Sequence, residues 1–504
     1  MNDRSAACPK SVRDRVFFAI YALAAALSVS VWFLAIRSPL WVDEAATYWQ
    51  INAGFSEIWP RQFLTFSSPE YGYILWLSSK LFGTSEFALR IPSILAMLVA
   101  GYLLYRAARE LFSRDCAILA TIIFCVDPIV VFAANDVRPY AFAVLSANAA
   151  ILILFRLRRS SSNWLAALFG LSAACIILFH FLFIVILPAL GLCFFVLKMG
   201  DRKVAWRQFG AALATFALAI LPVLPLTISL FHNANSHVSE PAPTLLRLAW
   251  TLAPGWLLPC LCGTGFAAFL VSALAPQRRD LRRQYESTPI LLCAYLALIP
   301  VLILYGVSAV TSFHMNTPRY LLIAVPGISL CWAVLVDAFR PRSIRLLFCV
   351  AFVMITAFFS FSSPLSRRHQ VSYKYALEAA ERSASVDGAP VLICSNFPES
   401  NYVEMPLDSA KESKFFAPLS YYKLSVPVVP LPEDLNGEAI RVGSRFLKEA
   451  ASKRERFLAV AYQTSYRTLD WLTQSAAATY TVRELGTFDD TKVLEFIPRT
   501  AARN

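Results

Sequence analysis

Eleven long apolar segments constrain the fold of this chain more than any other feature of its sequence. A helix needs about 20 mostly apolar residues to cross the hydrocarbon core of a bilayer. The candidate spans are 16–36, 87–106, 116–134, 139–157, 164–181, 182–198, 209–230, 248–273, 289–310, 320–338 and 344–362. Because 57% of the residues are hydrophobic and only 16% are charged, the sequence predicts an α-helical polytopic membrane protein.

Short clusters of basic residues separate these segments at every second loop. They are Arg13 and Arg15; Arg106, Arg109 and Arg114; Arg156, Arg158 and Arg159; Lys198, Arg202, Lys203 and Arg207; Arg278, Arg279, Arg282 and Arg283; and Arg340, Arg342 and Arg345. Loops rich in Lys and Arg stay on the cytoplasmic side of a membrane. We therefore expect a cytoplasmic N-terminus and an external C-terminus. The formal net charge of +13 then reflects topology, and we expect no nucleic-acid partner.

The character of the chain changes after Pro364, where the long apolar segments end. Short helical and strand-like patterns alternate through the remaining residues, which favours a small layered α/β domain. The sequence thus predicts a membrane domain over 1–365 and an extramembrane α/β domain over 366–504. That second domain contains no glycine-rich phosphate loop, so we assign it no nucleotide site.

The first outer loop, 37–86, carries two adjacent carboxylates, Asp43 and Glu44, between Trp41 and Trp49. Tryptophan prefers the interfacial layer of a membrane, which places the loop at headgroup level. Acidic groups at a bilayer surface are costly to desolvate and usually have a function. The alternative is a capped interfacial helix whose first turn is favoured by the helix dipole.

A third acidic residue, Glu70, begins the segment 70–82, which is too short and too aromatic to span a bilayer. We interpret that segment as a helix lying in the outer interface. Glu70 can serve as a site residue, or it can interact only with the dipole of its own helix.

Two isolated arginines, Arg138 and Arg319, are predicted at membrane level on the same outer side. An arginine can hold a phosphate with two parallel hydrogen bonds, which a lysine cannot do. Group transfer from a lipid phosphate needs positive charge on the departing phosphate and a base for the acceptor hydroxyl, a role that Asp43 can fill. The alternatives are an ion pair between Arg138 and Asp136, and a snorkelling Arg319 at a helix end.

Metal binding has weak support in the sequence. His232, His237 and His314 lie in predicted loops and are interpreted as solvated. Because an outer carboxylate can also bind a cation, a divalent cation stays open as a cofactor.

Four short motifs, in order along the chain, resemble those of the GT-C membrane glycosyltransferases. Trp41–Glu44 resembles the Asp-Glu signature of the first outer loop in that superfamily, and Phe87–Ser93 is similar to the entry to its second membrane helix. Asn135–Tyr140 resembles a Gln-Glu-Ala-Arg-Pro-Tyr turn, and Pro318–Leu322 followed by Pro326 resembles a late-helix motif. The similarity is greatest to the bacterial mannosyltransferase-like and lipid A aminoarabinose transferase-like branches, which use polyprenyl-phosphate sugars.

The resemblance implies a GT-C fold, an inverting transfer, and Asp43 as the catalytic carboxylate. It suggests the catalytic candidates Asp43, Glu44 and Glu70 and the substrate-binding candidates Asp136, Arg138, Tyr140, Arg319 and Tyr320. Relatives often have a lysine beside the position of Glu70, whereas this chain has Pro69–Gly72. The arginines are therefore left to bind the phosphate.

We accordingly predict a glycosyltransferase of the bacterial inner membrane with its C-terminal domain in the periplasm. It would move a hexosyl or pentosyl group from a polyprenyl-phosphate donor to a lipid, glycan or protein acceptor at the outer face. The alternatives are a lipid-linked glycan flippase and a polysaccharide polymerase or ligase of similar topology. The sequence leaves open which sugar and which acceptor are used.

Overall fold

The computed structural model describes most of the chain. The described residues are 12–65, 67–160, 162–201, 206–225, 228, 244–253, 257–274, 286–311, 317–339, 342–362, 373–405 and 412–499. His232, His237 and His314, which the sequence predicts to be solvated, lie outside the described residues, as does the basic cluster 278–283.

Helices make up nearly all of the described structure before residue 365. They are α1 Val12–Ser30, α2 Val42–Asn52, α3 Ile58–Leu64, α4 Pro69–Phe82, α5 Glu86–Leu111, α6 Arg114–Val126, α7 Pro128–Ala134, α8 Tyr140–Leu157, α9 Asn163–Phe179, α10 Leu187–Asp201, α11 Trp206–Ile220, α12 Leu245–Leu252, α13 Leu257–Leu274, α14 Ser287–Val310, α15 Pro318–Leu321, α16 Val325–Asp337 and α17 Arg342–Ser362. The predicted interfacial segment 70–82 corresponds to α4.

Each predicted apolar segment overlaps a helix within the described residues. In the part of the chain that the structure describes, six helices are long and apolar enough to cross a membrane: Glu86–Leu111, Tyr140–Leu157, Trp206–Val223, Ser287–Val310, Pro318–Asp337 and Arg342–Phe359. A bent pair, α6 with α7, changes direction by 68° at its break. Shorter apolar helices cover Ala19–Phe33, Asn163–Phe179, Phe181–Leu197 and Leu257–Phe266. Each predicted span overlaps one of these elements, which confirms the helical membrane class.

Packing divides the chain into two units, and the first contains the long apolar helices. It consists of Met1–Ile36, Arg90–Ser229 and Val238–Ser366. Glycine allows two pairs of its helices to approach closely. A Cβ on Gly170 in α9 would collide with the carbonyl of Ala212 in α11. A Cβ on Gly327 in α16 would likewise collide with the backbone of α14. Small residues at helix contacts are the usual packing device inside membranes.

Two residues of the motif Phe87–Ser93, Arg90 and Ser93, make buried contacts within this first unit. The guanidinium of Arg90 is fully buried and donates a hydrogen bond to the carbonyl of Ile36 at 3.0 Å. The hydroxyl of Ser93 donates to the carbonyl of Asp136 at 2.6 Å. Buried polar groups are stable only when they are hydrogen-bonded. These two contacts therefore anchor the end of the first apolar segment and the turn that follows α7.

The second unit consists of Arg37–Leu89, Leu230–His237 and Arg367–Asn504. Its later helices are α18 Tyr373–Ala384, α19 Pro418–Tyr421, α20 Gly437–Lys453 and α21 Tyr466–Ala476. Its strands are β1 Val391–Cys394, β2 Val428–Leu431, β3 Phe457–Tyr462, β4 Tyr480–Phe488 and β5 Thr491–Pro498. By packing, the first outer loop groups with the C-terminal residues of the chain, although the two are far apart in sequence.

These strands form one mixed sheet in the order β2-β1-β3-β5-β4. β1 pairs in parallel with both β2 and β3. β5 pairs antiparallel with β3 and β4. The parallel strands β1 and β3 are buried almost throughout, as expected for strands covered on both faces. The predicted alternation of strands and helices after Pro364 is confirmed.

Candidate functional site

The carboxylates Asp43 and Glu44 stand in the first turn of α2, which we call the carboxylate helix. The Glu44 side chain is fully buried, and its Oε2 accepts a hydrogen bond from the backbone N–H of Trp41 at 3.2 Å. A glutamate at this helix position that binds back to the preceding backbone is a capping residue. Asp43 is half-buried, and adjacent residues on a helix point about 100° apart. The two carboxylates therefore face different surroundings.

The carboxylate helix is held by residues from the far end of the chain, within the same unit. The backbone N–H of Leu40 donates a hydrogen bond to the Tyr422 hydroxyl at 2.7 Å. The indole N–H of Trp49 donates to the carbonyl of Glu412 at 2.7 Å. The rings of Tyr48 and Tyr421 meet edge to face with centroids 4.9 Å apart. We call residues 412–422 the clamp segment, because these contacts fix the chain just before the first turn of the helix and again near its C-terminal end.

Glu70 stands in the first turn of α4, which packs against the carboxylate helix. Its Oε2 accepts a hydrogen bond from the Ser68 hydroxyl at 2.7 Å. Burial raises the pKa of Glu70 above its ordinary value, and the Ser68 hydrogen bond opposes that rise. A carboxyl group with a raised pKa in a site is a candidate for acid–base chemistry. The three predicted catalytic residues thus lie on two neighbouring helices of one unit.

A second group of polar and aromatic side chains is gathered in the first unit. Tyr140 is fully buried at the start of α8 and interacts electrostatically with Arg138, Arg319, Asp136 and Tyr320. The guanidinium carbon of Arg319 lies 5.3 Å from the centroid of the Tyr320 ring. The structure therefore brings together all five residues that the sequence proposes for substrate binding.

His180 completes this group, and sequence reasoning missed it. Its ring centroid lies 4.9 Å from that of Tyr140, 4.4 Å from that of Phe183 and 5.8 Å from that of Tyr320. It also interacts electrostatically with Arg138 and Arg319. We call Asp136, Arg138, Tyr140, His180, Arg319 and Tyr320 the cation–aromatic cluster.

A signal for His180 was present in the sequence. It lies one residue before the end of the predicted span 164–181, where Phe and Leu residues flank it on both sides in the sequence. An ionisable residue at membrane depth is a functional candidate by default. In the structure, α9 ends at Phe179, His180 follows with extended backbone, and the chain continues as a 3₁₀ helix over Phe181–Ile186. This break in the helix turns the imidazole toward Tyr140 and Tyr320.

The chemistry available to each group follows from its residues. Two guanidinium groups at the end of apolar helices can bind a phosphate through charge-assisted hydrogen bonds. A half-buried carboxylate at a helix N-terminus can accept a proton from a hydroxyl. Among the described residues, no three His, Cys, Asp or Glu side chains lie close enough together to hold a metal ion.

Comparison with known proteins identifies the fold of this chain. Residues 67–228 match the family model described as dolichyl-phosphate-mannose-protein mannosyltransferase. The crystal structure of ArnT from Cupriavidus metallidurans bound to undecaprenyl phosphate is similar with a TM-score of 0.55 and 12% identity, over 96% of this chain and 98% of that chain. The chain has the GT-C fold. The fold that the motifs predicted is thereby confirmed.

The same ArnT protein in its apo state is similar to this GT-C chain with a TM-score of 0.52 and 13% identity, again over 96% and 98% of the two chains. Comparison with curated protein sequences finds no significant match. The family match includes Glu70, the turn 135–140 and His180, and it ends before Arg319.

Proposed function

We propose that this GT-C chain is an inner-membrane glycosyltransferase that takes its sugar from a polyprenyl-phosphate donor. The observation that carries the proposal is the cation–aromatic cluster, in which Arg138 and Arg319 both interact with the same two buried rings, Tyr140 and His180. Two cations gathered at the end of apolar helices suit a ligand with an anionic head and a hydrophobic tail. A lipid phosphate has this combination.

The arginines serve the leaving group in this proposal. As the bond between the sugar and the phosphate breaks, negative charge grows on the phosphate oxygens. Preorganised cations in a water-poor site stabilise such charge more strongly than they would in water. The ArnT structure of similar fold is described as bound to undecaprenyl phosphate, which supports a ligand of this class for the present chain.

Asp43 serves the acceptor. It takes the proton of the acceptor hydroxyl, the freed oxygen forms a bond to the anomeric carbon, and the bond from that carbon to the phosphate oxygen breaks. The polyprenyl phosphate leaves with the bonding electrons, and the configuration at the anomeric carbon inverts. Glu44 is occupied by its capping contact with Trp41, which supports Asp43 as the base. Glu70 supplies a second acidic group that orients the acceptor or the sugar.

The orientation of the chain is part of the same proposal. Basic clusters in alternate loops support a cytoplasmic N-terminus and a periplasmic α/β domain over 366–504. The acceptor would then be a lipid, glycan or protein at the outer face of the bacterial inner membrane. A reporter that is active only outside the cytoplasm, fused after Asn504, should be active. An inactive reporter would contradict the proposed orientation and place the C-terminus in the cytoplasm.

One assay tests the proposed activity. Purified protein in proteoliposomes is incubated with radiolabelled polyprenyl-phosphate sugars and a membrane extract. We expect one labelled donor to be consumed and its sugar to appear on an acceptor. Movement of the intact labelled lipid across the bilayer without consumption would instead indicate a flippase. Growth of a long labelled glycan would indicate a polymerase.

A further inference from the structure

The buried imidazole of His180 has a ring nitrogen, Nδ1, without a hydrogen-bond partner among the described residues. Only 8% of the residue is exposed. The neighbouring rings of Tyr140, Phe183 and Tyr320 cover it. A buried ring nitrogen without a hydrogen-bond partner destabilises the folded protein, so its presence needs an explanation.

A bound ligand atom explains this nitrogen best. A histidine that served only to fill space between aromatic rings could be replaced by phenylalanine, as at Phe183, without an unsatisfied group. Native proteins leave few buried polar atoms without partners, and the exceptions often belong to binding or catalytic sites. The polar atom of His180 is therefore available for something that the chain itself does not provide.

The charges around His180 decide what kind of ligand atom this is. Arg138 and Arg319 are both within electrostatic reach of the imidazole, so the site attracts an anion. The aromatic walls keep water away and strengthen each charged contact. An imidazole nitrogen can donate or accept, depending on its tautomer. An anionic oxygen can only accept, and therefore it selects the tautomer in which Nδ1 carries the hydrogen.

We propose that His180 is a donor-binding residue whose Nδ1–H donates a hydrogen bond to a phosphate oxygen of the polyprenyl-phosphate donor, beside Arg138 and Arg319. This inference rests on the proposed function and adds a third, uncharged contact to the two guanidinium groups. The two arginines supply charge, and the imidazole supplies a fixed direction because its ring packs against those of Tyr140 and Phe183.

The test compares four variants in a binding assay that needs no turnover. Asparagine can place its amide N–H near the position of Nδ1, whereas glutamine places it near that of Nε2. The variants are His180→Asn, His180→Gln, His180→Phe and, as a matched control in the same aromatic group, Phe183→Leu. Each purified protein is titrated with undecaprenyl phosphate and, separately, with the uncharged alcohol undecaprenol. Thermal unfolding of the unliganded proteins reports any loss of folding.

Loss of a hydrogen bond to a charged group should weaken undecaprenyl phosphate binding on the order of 10-fold or more in His180→Phe and His180→Gln. His180→Asn should stay near the wild type, and undecaprenol binding should not change in any His180 variant. Phe183→Leu should lower the unfolding temperature without changing the preference for phosphate over alcohol.

The outcomes separate the inference from the proposed function. If His180→Phe binds undecaprenyl phosphate as tightly as the wild type, while Arg138→Ala and Arg319→Ala bind it more weakly, the role of His180 is overturned. The proposed function would stand. If His180→Phe does not fold, equal binding by the asparagine and glutamine variants would overturn the role of His180 instead. A wild-type protein that binds the phosphate no better than the alcohol would overturn both proposals.

Discussion

The carboxylate helix and the cation–aromatic cluster are built in opposite ways. The carboxylate helix is short, and hydrogen bonds from the clamp segment, more than 350 positions away in sequence, hold it in place. The cation–aromatic cluster lies among apolar helices, and ring contacts with centroids 4.4–5.8 Å apart hold it. The first is a polar assembly whose parts come from distant segments. The second is a packed core with charges at its edge.

This difference separates two tasks of the proposed reaction. A base must exchange a proton with an acceptor, which suits a half-buried carboxylate in polar surroundings. A phosphate site gains most from low dielectric, which suits arginines beside buried rings. Changes in the carboxylate helix should therefore alter turnover, and changes in the cation–aromatic cluster should alter the use of the donor. The following variants test that separation, from the largest expected effect to the smallest.

Asp43→Asn should have the largest effect. Asparagine keeps the size of the side chain and much of its hydrogen bonding, so the fold should survive. Removal of a general base lowers the rate by roughly 10²–10⁴-fold, and donor KM should change little. Glu44→Gln is the matched control, because it should lose only part of the capping contact with Trp41. Turnover of both variants at equal membrane levels is the measurement. Full activity in Asp43→Asn with loss in Glu44→Gln would identify the other carboxylate as the base.

Arg319→Lys should weaken binding of the donor. Lysine keeps the positive charge and loses the planar fork that binds two phosphate oxygens. We expect donor KM to rise about 10-fold, the scale of one lost hydrogen bond to a charged group. Arg159→Lys is the control, because that arginine pairs with Glu110 at a largely exposed position and should leave donor KM unchanged. Unchanged donor affinity in both Arg319→Ala and Arg138→Ala would remove the arginines from the phosphate site.

Tyr422→Phe should act on turnover alone. The change removes the hydroxyl that accepts the Leu40 N–H just before the carboxylate helix. The free energy of one such hydrogen bond corresponds to a change of about 2–10-fold in a rate or equilibrium constant. We expect kcat to fall by a factor in that range. Tyr421→Phe is the control, since the hydroxyl that it removes donates an exposed hydrogen bond to the carbonyl of Thr84, and its ring stays against Tyr48. Weaker undecaprenyl phosphate binding in Tyr422→Phe would break the separation between the two regions.

Glu70→Gln should change the pH dependence of stability by a small amount. Burial raises the pKa of Glu70 above its ordinary value of 4.5, so the folded chain holds this proton more tightly than the unfolded chain. That contribution is fully present below pH 4.5 and is lost as pH rises through the raised value. As the pH increases through the raised pKa, the unfolding temperature of the wild type should therefore fall by roughly one or two degrees relative to that of Glu70→Gln. Glu57→Gln, at an exposed position of the same loop, should follow the wild type throughout. A parallel pH profile for Glu70→Gln and the wild type would contradict the expectation.

The sequence alone determined the membrane class, the position of each apolar helix and the strands after Pro364. These features follow from local patterns, because a span or a strand is recognised from its own run of residues. The motifs also indicated Asp136, Arg138, Tyr140, Arg319 and Tyr320, and the structure gathers these five in one cluster. The site roles that the sequence assigns to them, and to Asp43, Glu44 and Glu70, stay predictions.

Only the tertiary structure decided which distant segments meet. No local pattern shows that the clamp segment holds the carboxylate helix, since those contacts join residues hundreds of positions apart through single hydrogen bonds and ring edges. The place of His180 beside Tyr140 and Tyr320 likewise depends on how three apolar helices pack. Hydrophobicity determines that such helices are buried, but it is non-directional. The choice of neighbours comes from shape and from hydrogen bonds, which form only when the chain is folded.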